Sequence, residues 1–145
     1  MDVSQLDALP RRLGILCQTT QNQQRFAEFV ARVISRRLAR FSELRIFNTI
    51  CDATSKNQAA ALELAERVDL MLVVGGQDSA NTKQLAKICA DIGVVTHHIE
   101  TAAEIDPSWL RGHRRVGITA GASTPDEVID GVALALDEVA RKNRQ

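Results

Sequence analysis

Residues 68–81, Val68-Asp69-Leu70-Met71-Leu72-Val73-Val74-Gly75-Gly76-Gln77-Asp78-Ser79-Ala80-Asn81, pass from an apolar run into small and polar residues and then into a helical pattern. An apolar run without regular alternation is how a strand buried on both faces reads, and such strands belong to parallel sheets covered by helices. Four further runs of the same kind stand at 13–16, 44–50, 93–99 and 115–119. Helical stripes separate them. Phe26, Phe29, Val30, Val33, Ile34 and Leu38 recur at helical spacing, residues 57–67 are rich in Ala, Leu and Glu, and Leu85, Ile88, Cys89 and Ile92 follow an i, i+3, i+4, i+7 pattern. Val128, Ile129, Val132 and Leu136 mark a last helix, introduced by the capping-box sequence Thr124-Pro125-Asp126-Glu127. This alternation predicts an α/β fold of three layers, α/β/α, with a mostly parallel sheet of four to five strands.

The 145 residues suit one compact domain that buries roughly two thirds of its unfolded surface without needing a metal or disulfide to fold. Eighteen Lys and Arg balance eighteen Asp and Glu, and four Phe, one Trp and no Tyr provide no base-stacking platform, so nucleic acid is not an expected partner. No stretch has the length of a signal peptide's apolar core or of a membrane span. A cytoplasmic location without membrane contact is expected. Three widely spaced cysteines form neither a disulfide framework nor a C-x-x-C pair. Residues 1–12 read as a loosely held lead-in, residues 13–145 as the α/β region, and the basic tail from Arg141 as a solvated end.

Ligands of open parallel sheets bind beyond the carboxyl ends of the strands. Those ends hold Gln18, Thr19 and Thr20, then Cys51 to Thr54, then the turn at 75–81, then the turn at 120–123. Hydroxyls, amides and small residues dominate, and general bases are scarce. Neutral donors at helix N-termini suit an anion such as phosphate. Each residue also has a plainer role: Thr20, Ser55, Ser79 and Thr124 are good N-caps, and Cys51 is either a small strand-end residue or a functional thiol facing the positive end of a helix. Cys89 lies on a core stripe. His97 and His98 fall on opposite faces of the fourth strand and read as packed or edge histidines, while His113, in an Arg-Gly-His-Arg-Arg loop, reads as solvated.

Four of these strings, taken in order, resemble one family. Gly14-Ile15-Leu16-Cys17-Gln18-Thr19-Thr20, Asn48-Thr49-Ile50-Cys51-Asp52-Ala53-Thr54, Val73-Val74-Gly75-Gly76 with Ser79 and Asn81, and Gly117-Ile118-Thr119-Ala120-Gly121-Ala122-Ser123-Thr124-Pro125-Asp126 are similar to motifs of 4-hydroxy-3-methylbut-2-enyl diphosphate reductase. The likeness runs from about Leu13 onward and corresponds to the family's C-terminal part, part of a second lobe and a third. It implies an iron–sulfur oxidoreductase of the non-mevalonate route of isoprenoid biosynthesis, which removes an allylic hydroxyl to give isopentenyl and dimethylallyl diphosphates.

By that resemblance Cys51 is one of three cysteine ligands of a [4Fe–4S] cluster, Thr19 and Thr20 are catalytic-site threonines, and Ser79, Asn81 and Ser123 hold the substrate diphosphate. The family's other two cluster cysteines, its diphosphate-binding histidines and its proton-delivering glutamate have no counterpart here. Cys17 and Cys89 fall outside the matching motifs, and Ala80 replaces a residue that is often a hydroxyl. The resemblance therefore implies a chain that holds a cluster and turns over only with an N-terminal half or in an oligomer, served by a ferredoxin- or flavodoxin-type electron donor. The alternative is a non-catalytic diphosphate- or anion-binding module. A phosphorelay receiver is disfavoured, because no acidic cluster ends the first strand.

Overall fold

The structure, a computed structural model, describes residues 10–142. The chain divides into two compact units, Met1–Ser55 and Lys56–Gln145. In the first, β1 (Arg12–Leu16), α1 (Gln23–Arg37) and β2 (Glu43–Phe47) form a parallel pair of strands joined by a crossover helix. Helix α2 (Asp52–Ala65) begins in this unit and runs into the second, which continues with β3 (Leu70–Val74), α3 (Ala80–Asp91), β4 (Val95–Ile99), β5 (Val116–Ala120) and α4 (Asp126–Lys142). Both sheets are parallel, as the unbroken apolar runs imply. The five strands are nevertheless shared between a two-stranded sheet, β1-β2, and a three-stranded one, β4-β3-β5, rather than lying in one.

The second unit has the expected three layers. Leu70, Met71, Leu72, Val73 and Val74 are all completely buried, since β3 is paired on both sides and covered on both faces. Alternation sends Met71 and Val73 towards Ala61, Ala65, Leu85 and Cys89 of α2 and α3. It sends Leu70, Leu72 and Val74 towards Val132 of α4 and Ile99 of β4. Each such side chain contributes about 1.5–3 kcal/mol of burial free energy. In the first unit, Ile15 and Val33 form a smaller core with Leu13, Phe26, Phe29 and Leu44.

Several local expectations need correction. The lead-in lies mostly outside the described residues, and Arg12 already belongs to β1; similarly Arg141 and Lys142 of the supposed tail complete α4. Strand β2 stops at Phe47 rather than residue 50, because the Asn48 side chain accepts from the Ile50 N–H (3.2 Å) and turns the chain. Leu38 and Ile92, at the ends of their stripes, stand 54% and 44% exposed where the helices have already stopped. The first helix is capped by Asn22, whose side chain accepts from Arg25 N–H at 2.9 Å, and not by Thr20; Ser55 lies inside α2. Thr124 uses its hydroxyl on the Val74 carbonyl (3.1 Å) instead of closing a capping box, and α4 starts at Asp126. The cap at Ser79 is as expected.

Candidate substrate and metal site

In the first unit the carboxyl ends of β1 and β2 are tied together by backbone and hydroxyl bonds. The Cys17 N–H donates to Thr49 Oγ1 (3.2 Å), the Thr49 hydroxyl donates to the Cys17 carbonyl, and the Cys51 N–H donates to the Thr19 carbonyl (3.2 Å). Thr19 and Cys51 are thereby neighbours. Both are exposed, whereas Thr20 is half-buried and Cys17 is buried. Cys51 directly precedes α2, and its carbonyl accepts the first helical bond, from Ser55 N–H at 3.0 Å. The strand-to-helix turn expected for this thiol is what the chain forms.

In the second unit the chain leaves β3 for β4 on one side and returns to β5 on the other, so the turns after β3 and β5 flank a switch point of the sheet. Gly75 has φ +148°, and a Cβ there would lie 2.7 Å from Thr82 Oγ1 and 2.9 Å from Thr124 Oγ1. A Cβ on Gly121 would collide with the same Thr82 hydroxyl. The two turns and the first turn of α3 thus close on one another around Thr82, which brings Ser79 and Ser123 to the same sheet edge. Ser79 caps α3, accepting from Thr82 N–H at 3.2 Å, and Ser123 is exposed in the second turn.

Asn81, one residue into α3, is the exception to good hydrogen-bond order. Its Oδ1 and Nδ2 are both buried and have no partner among the described residues. An orphaned buried amide costs about 1–3 kcal/mol, and a ligand that both donates and accepts, or a ligand with bound water, relieves it. The positive end of α3 lies beside it. The rim of the turn is less favourable to an anion: Glu100 accepts from Gln77 N–H at 2.5 Å, and Lys83 is 3.7 Å from Asp78.

Three supporting residues were missed in the sequence. Thr82 spaces the two turns, Asn57 of α2 donates to the Ala120 carbonyl (3.3 Å), and His98 Nε2 meets the Gly75 carbonyl at 2.8 Å. None carries a local pattern, because each acts on a turn far along the chain. His97, on the opposite face of β4, stacks on Trp109 with ring centroids 3.8 Å apart and planes 2° from parallel. His113, expected to be solvated, is half-buried, with Nδ1 2.9 Å from the Trp109 carbonyl.

Burial holds the His97 pKa below the ordinary 6.5, the charge of His113 adds to this, and Asp106 opposes it. The unfolded chain therefore binds the proton more readily, so stability falls as pH drops through about 6.5 and levels off below the folded value. A His97→Phe variant, which keeps the stack, should lose this slope. Urea midpoints followed from pH 7 to pH 5 check it; parallel curves for the two proteins would show that His97 does not carry the dependence.

A family model described as LytB protein matches residues 1–137. The chain belongs to the LytB family. Curated relatives of this LytB chain include 4-hydroxy-3-methylbut-2-enyl diphosphate reductase of Pelobacter propionicus, 53% identical over 132 residues, and that of Trichlorobacter lovleyi, 50% identical over 137. The matches take in 91% and 93% of the chain but only 46% and 48% of the relatives. The chain spans about half the length of the curated relatives it matches. A solved structure of (E)-4-hydroxy-3-methyl-but-2-enyl diphosphate reductase is similar over 89% of this chain and 44% of its own, at 44% identity and TM-score 0.60. The reductase structure from Plasmodium falciparum, at 24% identity, shares the fold over 92% of this chain and 42% of its own with TM-score 0.80.

The thiols of this LytB chain do not fit an iron–sulfur cluster by themselves. Among the described residues no three His, Cys, Asp or Glu side chains are grouped to hold a metal. Cys51 is exposed, but Cys17 and Cys89 are buried, and burial pushes the Cys89 thiol pKa up, away from the thiolate a metal requires. No helix among the described residues is long and apolar enough to cross a membrane.

Proposed function

We propose that the chain is the C-terminal portion of a 4-hydroxy-3-methylbut-2-enyl diphosphate reductase. In this reading it binds the substrate diphosphate through Ser79, Asn81 and Ser123 in the second unit and supplies Cys51 as one thiolate ligand of a [4Fe–4S] cluster. The remaining ligands and the proton donor come from a separate N-terminal part, and electrons from a ferredoxin- or flavodoxin-type donor. Thr19, held beside Cys51, and Thr20 are the threonines assigned to the catalytic site. The chain is inactive alone.

The orphaned Asn81 amide carries the diphosphate assignment. It lies in the first turn of α3, two residues from the Ser79 cap, and costs stability until a polar ligand meets it. Asn81→Leu is therefore expected to stabilise the unliganded chain by about 1–3 kcal/mol while weakening diphosphate binding by roughly 10–100-fold, the worth of a hydrogen bond to a charged group. Denaturation and titration calorimetry on one preparation read both effects. Unchanged diphosphate affinity in Asn81→Leu and in Ser123→Ala would remove the site.

A second reading, an anion-binding module without redox chemistry, is favoured by the ungrouped thiols. Co-expression with an N-terminal part separates the two. Reductase activity of the complex supports the first reading; diphosphate binding with no complex supports the second.

A further inference from the structure

The two strands of the first unit differ in kind. In β1, the charged Arg12 at the start is followed by four apolar residues, Leu13-Gly14-Ile15-Leu16; β3, which is paired on both sides and completely buried, is apolar throughout. In β2, charge alternates: Glu43 contacts both Arg12 and Arg45 at 2.6 Å. Charged side chains are how a sheet guards an edge against further pairing, so β2 has the composition of an edge and β1 that of a central strand. Yet among the described residues β1 is paired on one side only.

Two features of the β1 surface agree with this. Leu16 is 67% exposed and its register partner Phe47 52%, a contiguous apolar pair on the sheet. Gly14 weakens a strand for no local reason, since a Cβ there would meet nothing within 4 Å; glycine within a strand marks the close approach of another element.

Backbone direction identifies the open edge residue by residue. The Arg11 carbonyl accepts from Ser42 and Glu43 (2.7 and 3.3 Å), and both backbone groups of Cys17 engage Thr49. Odd-numbered residues of β1 thus face β2, and Arg12, Gly14 and Leu16 turn their N–H and C=O groups to the other side. By the observed register, Leu44 and Ile46 face the outer edge of β2.

We propose that the free edge of β1 is a docking strand, which accepts a parallel strand from the N-terminal part of a LytB chain while an apolar element of that part covers Leu16 and Phe47. The proposal rests on the reading of this chain as a C-terminal portion. More than half of each curated relative's length lies outside the match, so the required segment exists in that family. A second copy is the poorer occupant, because two β1 edges related by a two-fold axis would pair antiparallel, against the parallel character of every strand pair among the described residues.

Residue-resolved hydrogen exchange tests this on the full chain, alone and co-purified with the part of the Pelobacter propionicus relative outside the match. The Gly14 and Leu16 amides should exchange freely in the lone chain and slow by an order of magnitude or more in the complex, while Leu44 and Ile46 stay unchanged. Leu16→Lys should weaken the complex by about tenfold or more without altering diphosphate binding in the second unit. Protection of Leu44 and Ile46 instead, or of Gly14 and Leu16 already in the lone monomer, overturns the proposal. Concentration-dependent protection without the partner assigns the edge to a second copy and overturns it as well. A reductase-active complex with protection elsewhere defeats the docking edge alone; absence of any complex defeats it together with the proposed function.

Discussion

Cys51→Ser, introduced into a complex of this chain with an N-terminal part, is expected to lower reductase activity more than about 100-fold, beyond what loss of a residue that merely supports a metal ligand produces. Assembly should be unaffected. The side chain is exposed and the backbone at this position is held by Thr19 and Ser55, which the substitution leaves in place. Iron content and visible absorbance should fall with the activity, whereas Cys17→Ser and Cys89→Ser, which alter buried thiols of the two cores, should change stability more than iron content. Size-exclusion chromatography beside the activity assay reads both quantities. A Cys51→Ser complex that keeps its iron and its turnover would remove the cluster-ligand role.

Gly75→Ala should be the most damaging small substitution in the second unit. The new methyl meets Thr82 Oγ1 at 2.7 Å and Thr124 Oγ1 at 2.9 Å, and φ of +148° is strained for any L side chain. Overpacking costs about 1–3 kcal/mol and the backbone conformation about 1–2 more. Gly76→Ala, one residue on, meets nothing nearer than Glu100 Oε1 at 3.8 Å and should stay within about 0.5 kcal/mol. Trp109 lies in this unit and is the chain's single tryptophan, so its fluorescence during urea unfolding reports the difference directly. Equal midpoints for the two alanine variants would show that the turn yields where the geometry says it cannot.

The strands and most helices were legible because their signal is local: β3 is apolar at every position, and a stripe such as Leu85, Ile88 and Cys89 needs only one face of one helix. Ser79 could be read as a cap for the same reason. Thr124 could not. Its hydroxyl is used on Val74, fifty residues away, and a local capping pattern does not encode that partner. The pairing of His97 with Trp109 and the half-burial of His113 are likewise products of tertiary packing. The division into two sheets was within reach, since the alternating charges of β2 mark it as an edge, but assigning each strand its neighbours requires the third dimension. In the candidate site, the motifs named Ser79, Asn81, Ser123 and Cys51; the unsatisfied amide of Asn81 and the spacing role of Thr82 emerged only from the packed structure.

Thr82 also constrains the history open to this part of the molecule. Because its hydroxyl stands against both Gly75 and Gly121, neither glycine can acquire a side chain while the threonine remains. Once Thr82 has become smaller, alanine at 121 meets no nearer obstacle than Thr124 Oγ1 at 3.3 Å, a contact a small shift accommodates. The order of events therefore matters: Gly121→Ala before Thr82→Ala passes through an intermediate that clashes, whereas the reverse order removes the obstacle first, at the cost of the cavity left by truncating a buried threonine. Lineages that keep the threonine inherit the glycine with it, and the two positions should drift together or stand still together.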